Sequence, residues 1–158
     1  MNEADVQKLA EQLLRKRWRL ALAESCTGGL ISAACTSIAG SSGWFERGFV
    51  TYSNEAKVQM LGVDANIIHT NGAVSEATVL AMAAGSLQQS DADIALSVSG
   101  IAGPDGGTQD KPVGTVWFAI ATKDGDEKSF QQHFSGDRQS VRLQAVQFAL
   151  AQLVLATE

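Results

Sequence analysis

Three reactive side chains stand close together early in the chain, in the stretch Ala-Glu-Ser-Cys-Thr-Gly-Gly at 23–29. The apolar run at 20–23 is typical of a buried strand, and the residues at 30–35 are typical of a helix. A strand-to-helix turn presents backbone N–H groups and the positive end of a helix dipole, which can bind a phosphate or stabilise an oxyanion. The turn therefore suits a nucleophile, and Ser25 is the candidate.

The neighbours of Ser25 have simpler interpretations as well. Cys26 is a rival nucleophile because a helix start stabilises thiolates, but no histidine is placed nearby as its partner, and a packing role is favoured. Gly28 and Gly29 belong to neither a GxGxxG fingerprint nor a Walker A loop, and they also suit a close approach of the helix to the sheet.

A tyrosine and a lysine are candidates for activating the nucleophile. Tyr52 ends an apolar run and Lys57 lies about one helical turn later, so Lys57 is a candidate base for Ser25, with Tyr52 relaying or donating a proton. A lysine base must be neutral, and lowering its pKa from about 10.4 to ~7 requires roughly 4 kcal/mol. Burial, or a cation such as Arg142, would supply it. The alternative is that Tyr52 lies at the rim of the core and Lys57 is a surface charge.

Other site chemistries have weaker support. Arg138 and Arg142 share one helix face at i, i+4 spacing and form either a clamp for a phosphate or carboxylate, or a solvated charged face. His69 and His133 are the two histidines, and neither lies in a glycine-rich loop, which disfavours a Ser-His-Asp triad. No HExxH motif is present, so no metal is expected.

The bulk composition narrows the class of protein. A chain of 158 residues fits one domain, 1–158, and the net charge of −5 disfavours nucleic acid and anionic lipid as partners. No apolar run approaches the ~18 residues that span a bilayer, and the polar start at 1–5 is unlike a signal peptide. Cys26 and Cys35 flank a helical segment and are not expected to pair. We expect a cytoplasmic protein that acts on a small molecule, without nucleic-acid or membrane partners.

The periodicity predicts strands that alternate with helices, and hence a three-layer α/β/α sandwich with a mixed, mostly parallel sheet. The glycine-rich segment 99–112 is predicted to be a long functional loop. The alanine-rich helix at 76–87 is expected to pack on a second copy, which predicts a homo-oligomer. The predicted helices cover 4–16, 30–38, 54–62, 64–69, 75–89 and 137 onward, and the predicted strands cover 18–24, 44–52, 94–98, 113–121 and 127–135.

Six motifs occur together in an order that resembles one known family. The chain is similar to the C-terminal domain of the competence/damage-inducible CinA proteins and to the stand-alone nicotinamide-nucleotide amidases. The resemblance covers almost the whole chain, which makes it far more specific than any single motif. The matching segments are 23–29, 40–42, 51–54 with Lys57, 72–75, 99–107 and 111–116.

The resemblance implies hydrolysis of the carboxamide of nicotinamide mononucleotide (NMN) to nicotinic acid mononucleotide and ammonia, in pyridine-nucleotide recycling, with no metal or organic cofactor. It implies Ser25 as nucleophile, Tyr52 and Lys57 as its activating partners, and backbone N–H groups around Cys26 to Gly28 as the oxyanion site. The implied substrate-binding residues are Cys26, Thr27, Gly28, Ser42, Gly100, Ala102, Gly103 and Arg142, with Arg138 as the alternative to Arg142.

Two other classes of function stay open at this point. One is a metal-dependent nucleotide pyrophosphatase, whose activity would be lost in excess EDTA. The other is a non-catalytic nucleotide-binding or competence-associated module, which would release no ammonia from NMN.

Overall fold

Residues 3–158, which the computed structural model describes, form six α-helices and five strands; Met1 and Asn2 of the polar N-terminal segment lie outside them. The helices are α1 Glu3–Lys16, α2 Leu30–Thr36, α3 Asn54–Leu61, α4 Ala65–Asn71, α5 Glu76–Gln88 and α6 Arg138–Ala156. The strands are β1 Leu20–Glu24, β2 Phe45–Val50, β3 Ile94–Gly100, β4 Thr115–Thr122 and β5 Glu127–His133.

The five strands form one mixed sheet in the order β2-β1-β3-β4-β5. Strand β1 pairs in parallel with both β2 and β3, and β4 pairs antiparallel with β3 and β5, so four of the five strands run in one direction. The predicted α/β class with a mixed, mostly parallel sheet is therefore confirmed. Within the described residues, no helix has the length and apolar character required to cross a bilayer.

The two faces of the sheet differ in the size of their side chains. Leu20 and Leu22 of β1 belong to a core with α1, α2 and α6, whereas Ala21 and Ala23 point to the opposite face and pack with α3 to α5. This alternation follows from the two-residue period of a strand. The small side chains of Ala21 and Ala23 on that face allow α5 to pack close to the sheet.

One face of the alanine-rich helix α5 packs within the chain. Its buried residues, which include Met82, Ala83 and Gly85, face the sheet and α3. A Cβ on Gly85 would collide with the backbone carbonyl of Leu61. The homo-oligomer that this helix was expected to support stays a prediction.

Four of the six helices begin with a side-chain cap. The side chains of Ser53, Asp64, Ser75 and Asp137 each accept a hydrogen bond from a first-turn N–H group, at the starts of α3, α4, α5 and α6. The loop predicted to begin at residue 99 begins two residues later, because Ser99 and Gly100 extend β3 and pair with Trp117 and Val116.

Replacing Gly85 by alanine tests the close packing of α5 on α3. Gly→Ala in a helix interior ordinarily stabilises by about 1 kcal/mol, but here the added methyl group meets the Leu61 carbonyl. We expect Gly85→Ala to lower the free energy of unfolding in urea by about 1–3 kcal/mol.

Gly43→Ala is the matched control, because its Cβ would meet only the flexible Leu14 side chain, at 3.3 Å from Cδ2. Its effect should stay within about 0.5 kcal/mol. A Gly85→Ala protein as stable as the unmodified protein would contradict the packing described here.

Candidate active site

A cavity of about 200 Å³ opens at the edge of the sheet where β1, β2 and β3 end. The carboxyl ends of parallel strands meet at one edge of a sheet, so loops that are distant in sequence converge there. The lining residues come from the last two residues of β3, from the segments that follow the three strands, from the segment before α5 and from the start of α6. They are Ser25, Cys26, Tyr52, Asn54, Lys57, Ala73, Val74, Ser99, Gly100, Ala102 and Arg138.

The structure brings Ser25 and Lys57 into direct contact. The Lys57 Nζ lies 3.0 Å from the Ser25 Oγ, and the lysine side chain is only 1% exposed. The same Nζ lies 2.9 Å from the carbonyl oxygen of Thr51 and 3.1 Å from that of Tyr52. Helix α3 carries Lys57, and its capping residue Ser53 follows these two carbonyls directly, so the end of β2 positions the amine.

Burial changes the proton affinity of this amine. It lowers the pKa of Lys57, against the smaller opposing influence of Cys26 and Glu55. No carboxylate of the described residues forms an ion pair with it. A neutral amine with its two N–H groups directed at the Thr51 and Tyr52 carbonyls has its lone pair available to Ser25. The arrangement can therefore accept the Ser25 proton.

Tyr52 occupies a different position from the one that its hypothesised proton relay requires. Its side chain is 61% exposed, and its hydroxyl lies 3.4 Å from the Arg138 Nη2. Its main-chain carbonyl instead accepts a hydrogen bond from Lys57 Nζ and lies 3.3 Å from the Ser25 Oγ. The physical reason is the alternation of extended backbone, which turns Thr51 inward and Tyr52 outward.

Glu24 occupies N–H groups at the helix start that could otherwise bind a phosphate or an oxyanion. Its carboxylate is fully buried at the end of β1 and accepts hydrogen bonds from Thr27 Oγ1 at 2.6 Å, Gly29 N at 3.2 Å, Ile31 N at 2.9 Å, Ser32 N at 2.9 Å and Ser32 Oγ at 2.7 Å. The start of α2 therefore binds a carboxylate of the chain itself. The available signal was a charged residue closing a buried apolar strand.

The turn leaves one N–H group suited to an oxyanion. The Ser25 N–H donates to the Val98 carbonyl and the Gly28 N–H donates to the Ser25 carbonyl, both at 3.1 Å. Within the described residues, the N–H groups of Cys26 and Thr27 donate to no other residue, and of these two residues Cys26 alone lines the cavity. The N–H that follows a nucleophile commonly serves as an oxyanion donor in hydrolases.

The two arginines of α6 have separate positions. Arg142, predicted to bind substrate, donates instead to the carbonyls of Cys26 at 3.0 Å and Thr27 at 3.3 Å, and its guanidinium packs beside Gly28. Arg138 lines the cavity and donates to the Gly103 carbonyl at 2.8 Å. The structure therefore assigns the cavity to Arg138 and the support of the turn to Arg142.

The remaining predicted binding residues divide into two groups. Gly100 and Ala102 line the cavity. Gly103 does not line it, but its carbonyl accepts a hydrogen bond from Arg138, which does. Thr27 is buried with its hydroxyl on Glu24, and Gly28 has a φ of 60°, which allows the turn.

Ser42 lies at the opposite end of the sheet from Ser25. It precedes Trp44, whose carbonyl accepts from the Leu20 N–H at the start of β1, whereas Ser25 follows the end of that strand. The five residues of β1 span roughly 17 Å. The predicted binding role of Ser42 is therefore not supported within one chain.

Four cavity residues were not among the site residues named from the sequence: Asn54, Ala73, Val74 and Ser99. Ser99 is 1% exposed, and its hydroxyl makes no hydrogen bond to another residue in the described part of the chain, while Asn54 lies at the first position of α3. His69 and His133 lie outside the cavity lining. Among residues 3–158, no group of three or more His, Cys, Asp or Glu side chains is arranged to hold a metal ion.

The thiol of Cys26 is poorly suited to act as the nucleophile. Burial raises its pKa to about 11, with nearby Arg142 and Lys57 acting in the opposite direction. The thiolate is the reactive form, so at neutral pH almost all of this group is the unreactive thiol. The packing interpretation of Cys26 is therefore favoured.

Comparison with known proteins shows that the chain is similar to members of one family. Residues 2–156 match the model of the CinA C-terminal domain. A nicotinamide-nucleotide amidohydrolase PncC from Enterobacter agglomerans is 58% identical over 143 residues, covering 90% of this chain and 87% of that protein. The protein of the same name from Escherichia coli K12 is 54% identical, covering 97% and 95%. The crystal structure of a CinA superfamily protein from Klebsiella pneumoniae 700603 has a TM-score of 0.95 at 41% identity, covering 99% and 98%.

Alkylation by iodoacetamide tests the state of Cys26. A pKa raised from 9.0 to about 11 lowers the thiolate fraction at pH 7.5 by a factor of about 100, and burial slows access further. We expect Cys26 to react at least about 100-fold more slowly than glutathione at pH 7.5, as measured by mass spectrometry of the modified peptide. Rapid modification at that pH would restore Cys26 as a rival to Ser25.

Proposed function

Since the chain belongs to the CinA C-terminal domain family, we propose that it hydrolyses the carboxamide of NMN to nicotinic acid mononucleotide and ammonia, in pyridine-nucleotide recycling. The observation that carries the proposal is the 3.0 Å contact between the buried Lys57 amine and the Ser25 hydroxyl. Two relatives that match most of the chain carry the name of this activity. A serine next to an amine that lacks a carboxylate partner is suited to acyl transfer from an amide.

In the first half of the proposed reaction, Lys57 takes the proton of Ser25 while Oγ forms a bond to the carboxamide carbon. The resulting oxyanion accepts a hydrogen bond from the Cys26 N–H. The Lys57 ammonium then protonates the amide nitrogen, the C–N bond breaks, and ammonia leaves. The product of this half is an ester of nicotinic acid mononucleotide on Ser25.

In the second half, Lys57 removes a proton from water, whose oxygen attacks the ester carbon. The C–O bond to Ser25 breaks, and the proton held by Lys57 returns to the serine oxygen. In each half Lys57 thus acts first as base and then as acid, which requires a pKa below the usual range of a lysine. Burial of Lys57 lowers its pKa in that direction.

The dimensions of the cavity indicate which part of the substrate enters it. About 200 Å³ is less than the roughly 300–1,000 Å³ of sites that enclose a drug-sized ligand, so we place the pyridine carboxamide inside and the ribose phosphate towards the mouth. The exposed guanidinium of Arg138 lines that mouth and suits a phosphate. The unpaired hydroxyl of Ser99 is placed to bond the carboxamide.

Incubation of the purified protein with NMN tests the activity directly. We expect release of ammonia and nicotinic acid mononucleotide, with activity retained in excess EDTA because no step uses a metal. Ser25→Ala should lower kcat at least about 10⁴-fold, because the bond-forming oxygen is lost, while NMN binding by calorimetry persists.

Three results would contradict the proposal. Absence of ammonia favours a non-catalytic module, loss of activity in EDTA favours a metal-dependent enzyme, and an active Ser25→Ala protein excludes Ser25 as nucleophile.

The pH dependence of kcat/KM tests the role of Lys57. The neutral amine is the active base, so the rate should rise with pH, and its midpoint should lie below the usual range of a lysine because burial lowers the pKa. Lys57→Arg should lose about 10²–10⁴ in kcat, since a guanidinium stays protonated.

The matched control is Lys8→Arg, on the exposed surface of α1, which should keep both rate and pH profile. If Lys57→Arg retained the rise in rate with pH, another group would be the base.

A further inference from the structure

The carboxylate of Glu24 is a buried group to which the proposed reaction assigns no step. It is 0% exposed, and no cation of the described residues forms an ion pair with it. Three of its five partners are backbone N–H groups, at Gly29, Ile31 and Ser32, which can only donate. Both oxygens therefore act as acceptors, and this set of hydrogen bonds compensates the cost of burying the carboxylate.

These bonds close a ring around the nucleophile. Glu24 directly precedes Ser25, and its Oε1 accepts the Thr27 hydroxyl at 2.6 Å, so the Ser25-Cys26 segment is enclosed between two fixed points. The bonds to Gly29, Ile31 and Ser32 attach the same carboxylate to the start of α2. The turn is thus tied at both ends by one side chain.

The main chain of Glu24 is tied to the segment that holds the base. Its carbonyl accepts the Thr51 N–H at 2.9 Å, and the Thr51 carbonyl in turn lies 2.9 Å from Lys57 Nζ. One residue therefore connects the two segments whose separation determines the distance from Ser25 Oγ to Lys57 Nζ.

We propose that Glu24 is a positioning residue that holds the Ser25 hydroxyl against the Lys57 amine. The proposal rests on the proposed function in that it takes Ser25 as the nucleophile. A misplacement of about 1 Å costs on the order of 10²-fold in rate. In Glu24→Gln, the amide nitrogen cannot accept the hydrogen bonds that the N–H and the hydroxyl of Ser32 donate to Oε2. We therefore expect the turn to relax.

The experiment compares Glu24→Gln and Thr27→Val with a control that loses an equivalent bond elsewhere. Thr27→Val removes the 2.6 Å hydroxyl bond to Glu24, and Thr27→Ser restores the hydroxyl. Thr157→Val removes the buried 2.7 Å bond from the Thr157 hydroxyl to Gln12 Oε1, between the C-terminal end of α6 and α1. Each variant is measured for Tm, for kcat and KM with NMN, and for the rate of Ser25 labelling by a fluorophosphonate.

Labelling reports on Ser25 without requiring that NMN be the substrate. The serine oxygen forms a bond to phosphorus, fluoride leaves, and Lys57 takes the serine proton. We expect Glu24→Gln to lower both kcat and the labelling rate about 10²-fold, with KM changed less than about threefold. We expect Thr27→Val to act in the same direction, Thr27→Ser to recover most of the loss, and Thr157→Val to lower Tm alone.

The outcomes separate the two proposals. A Glu24→Gln protein that is labelled as fast as the unmodified protein, or a Thr157→Val protein that loses labelling equally at equal Tm, overturns the positioning role. Labelling of Ser25 without ammonia release from NMN overturns the substrate assignment alone. If the unmodified protein is not labelled, Ser25 is not an activated nucleophile, and both proposals fail.

Discussion

The contact between a fully enclosed lysine amine and a serine hydroxyl is the constraint around which the candidate site is arranged. Three groups surround the Lys57 nitrogen at 2.9–3.1 Å, and two of them are main-chain carbonyls. Carbonyl dipoles orient the amine without adding a full counter-charge, whereas a carboxylate at the same position would hold the proton firmly and raise the pKa. The site can therefore function as a base only while it stays closed and free of acidic partners.

Helices cover both faces of the sheet and keep the site closed. Large aliphatic side chains pack against α1, α2 and α6 on one face, and small alanine side chains on the other face allow α5 to pack closely. Ser25 then follows the end of β1 and Lys57 follows the end of β2, and these two strands are neighbours in the sheet. The turn after β1 is held on two sides. Arg142 donates to its carbonyls, and Glu24 accepts from N–H groups at the start of α2.

Local sequence signals were sufficient for the elements and for selecting Ser25 and Lys57, which the structure brings into contact. Capping residues, the two periods of helix and strand, and the order of the motifs predicted the fold, and Ser25 with Lys57 followed from the strand-to-helix turn and the resemblance. The misplaced residues depended on non-local facts. The outward direction of Tyr52, the position of Arg138 rather than Arg142 at the cavity, and the distance of Ser42 from Ser25 are set by strand alternation, helix packing and strand length. Glu24 was missed because a buried anion is recognisable only when its donors are assembled around it.

Lys57 is held by a segment that continues from an edge strand. Within residues 3–158, strand β2 pairs only with β1, so its outer hydrogen-bonding side has no neighbouring strand in the sheet. Segments whose backbone hydrogen bonds are exposed to solvent open at lower free energy than central strands. Fraying of β2 would withdraw the amine from the hydroxyl while the central strands stay paired. Heat should therefore inactivate this protein reversibly at temperatures where its core is still intact.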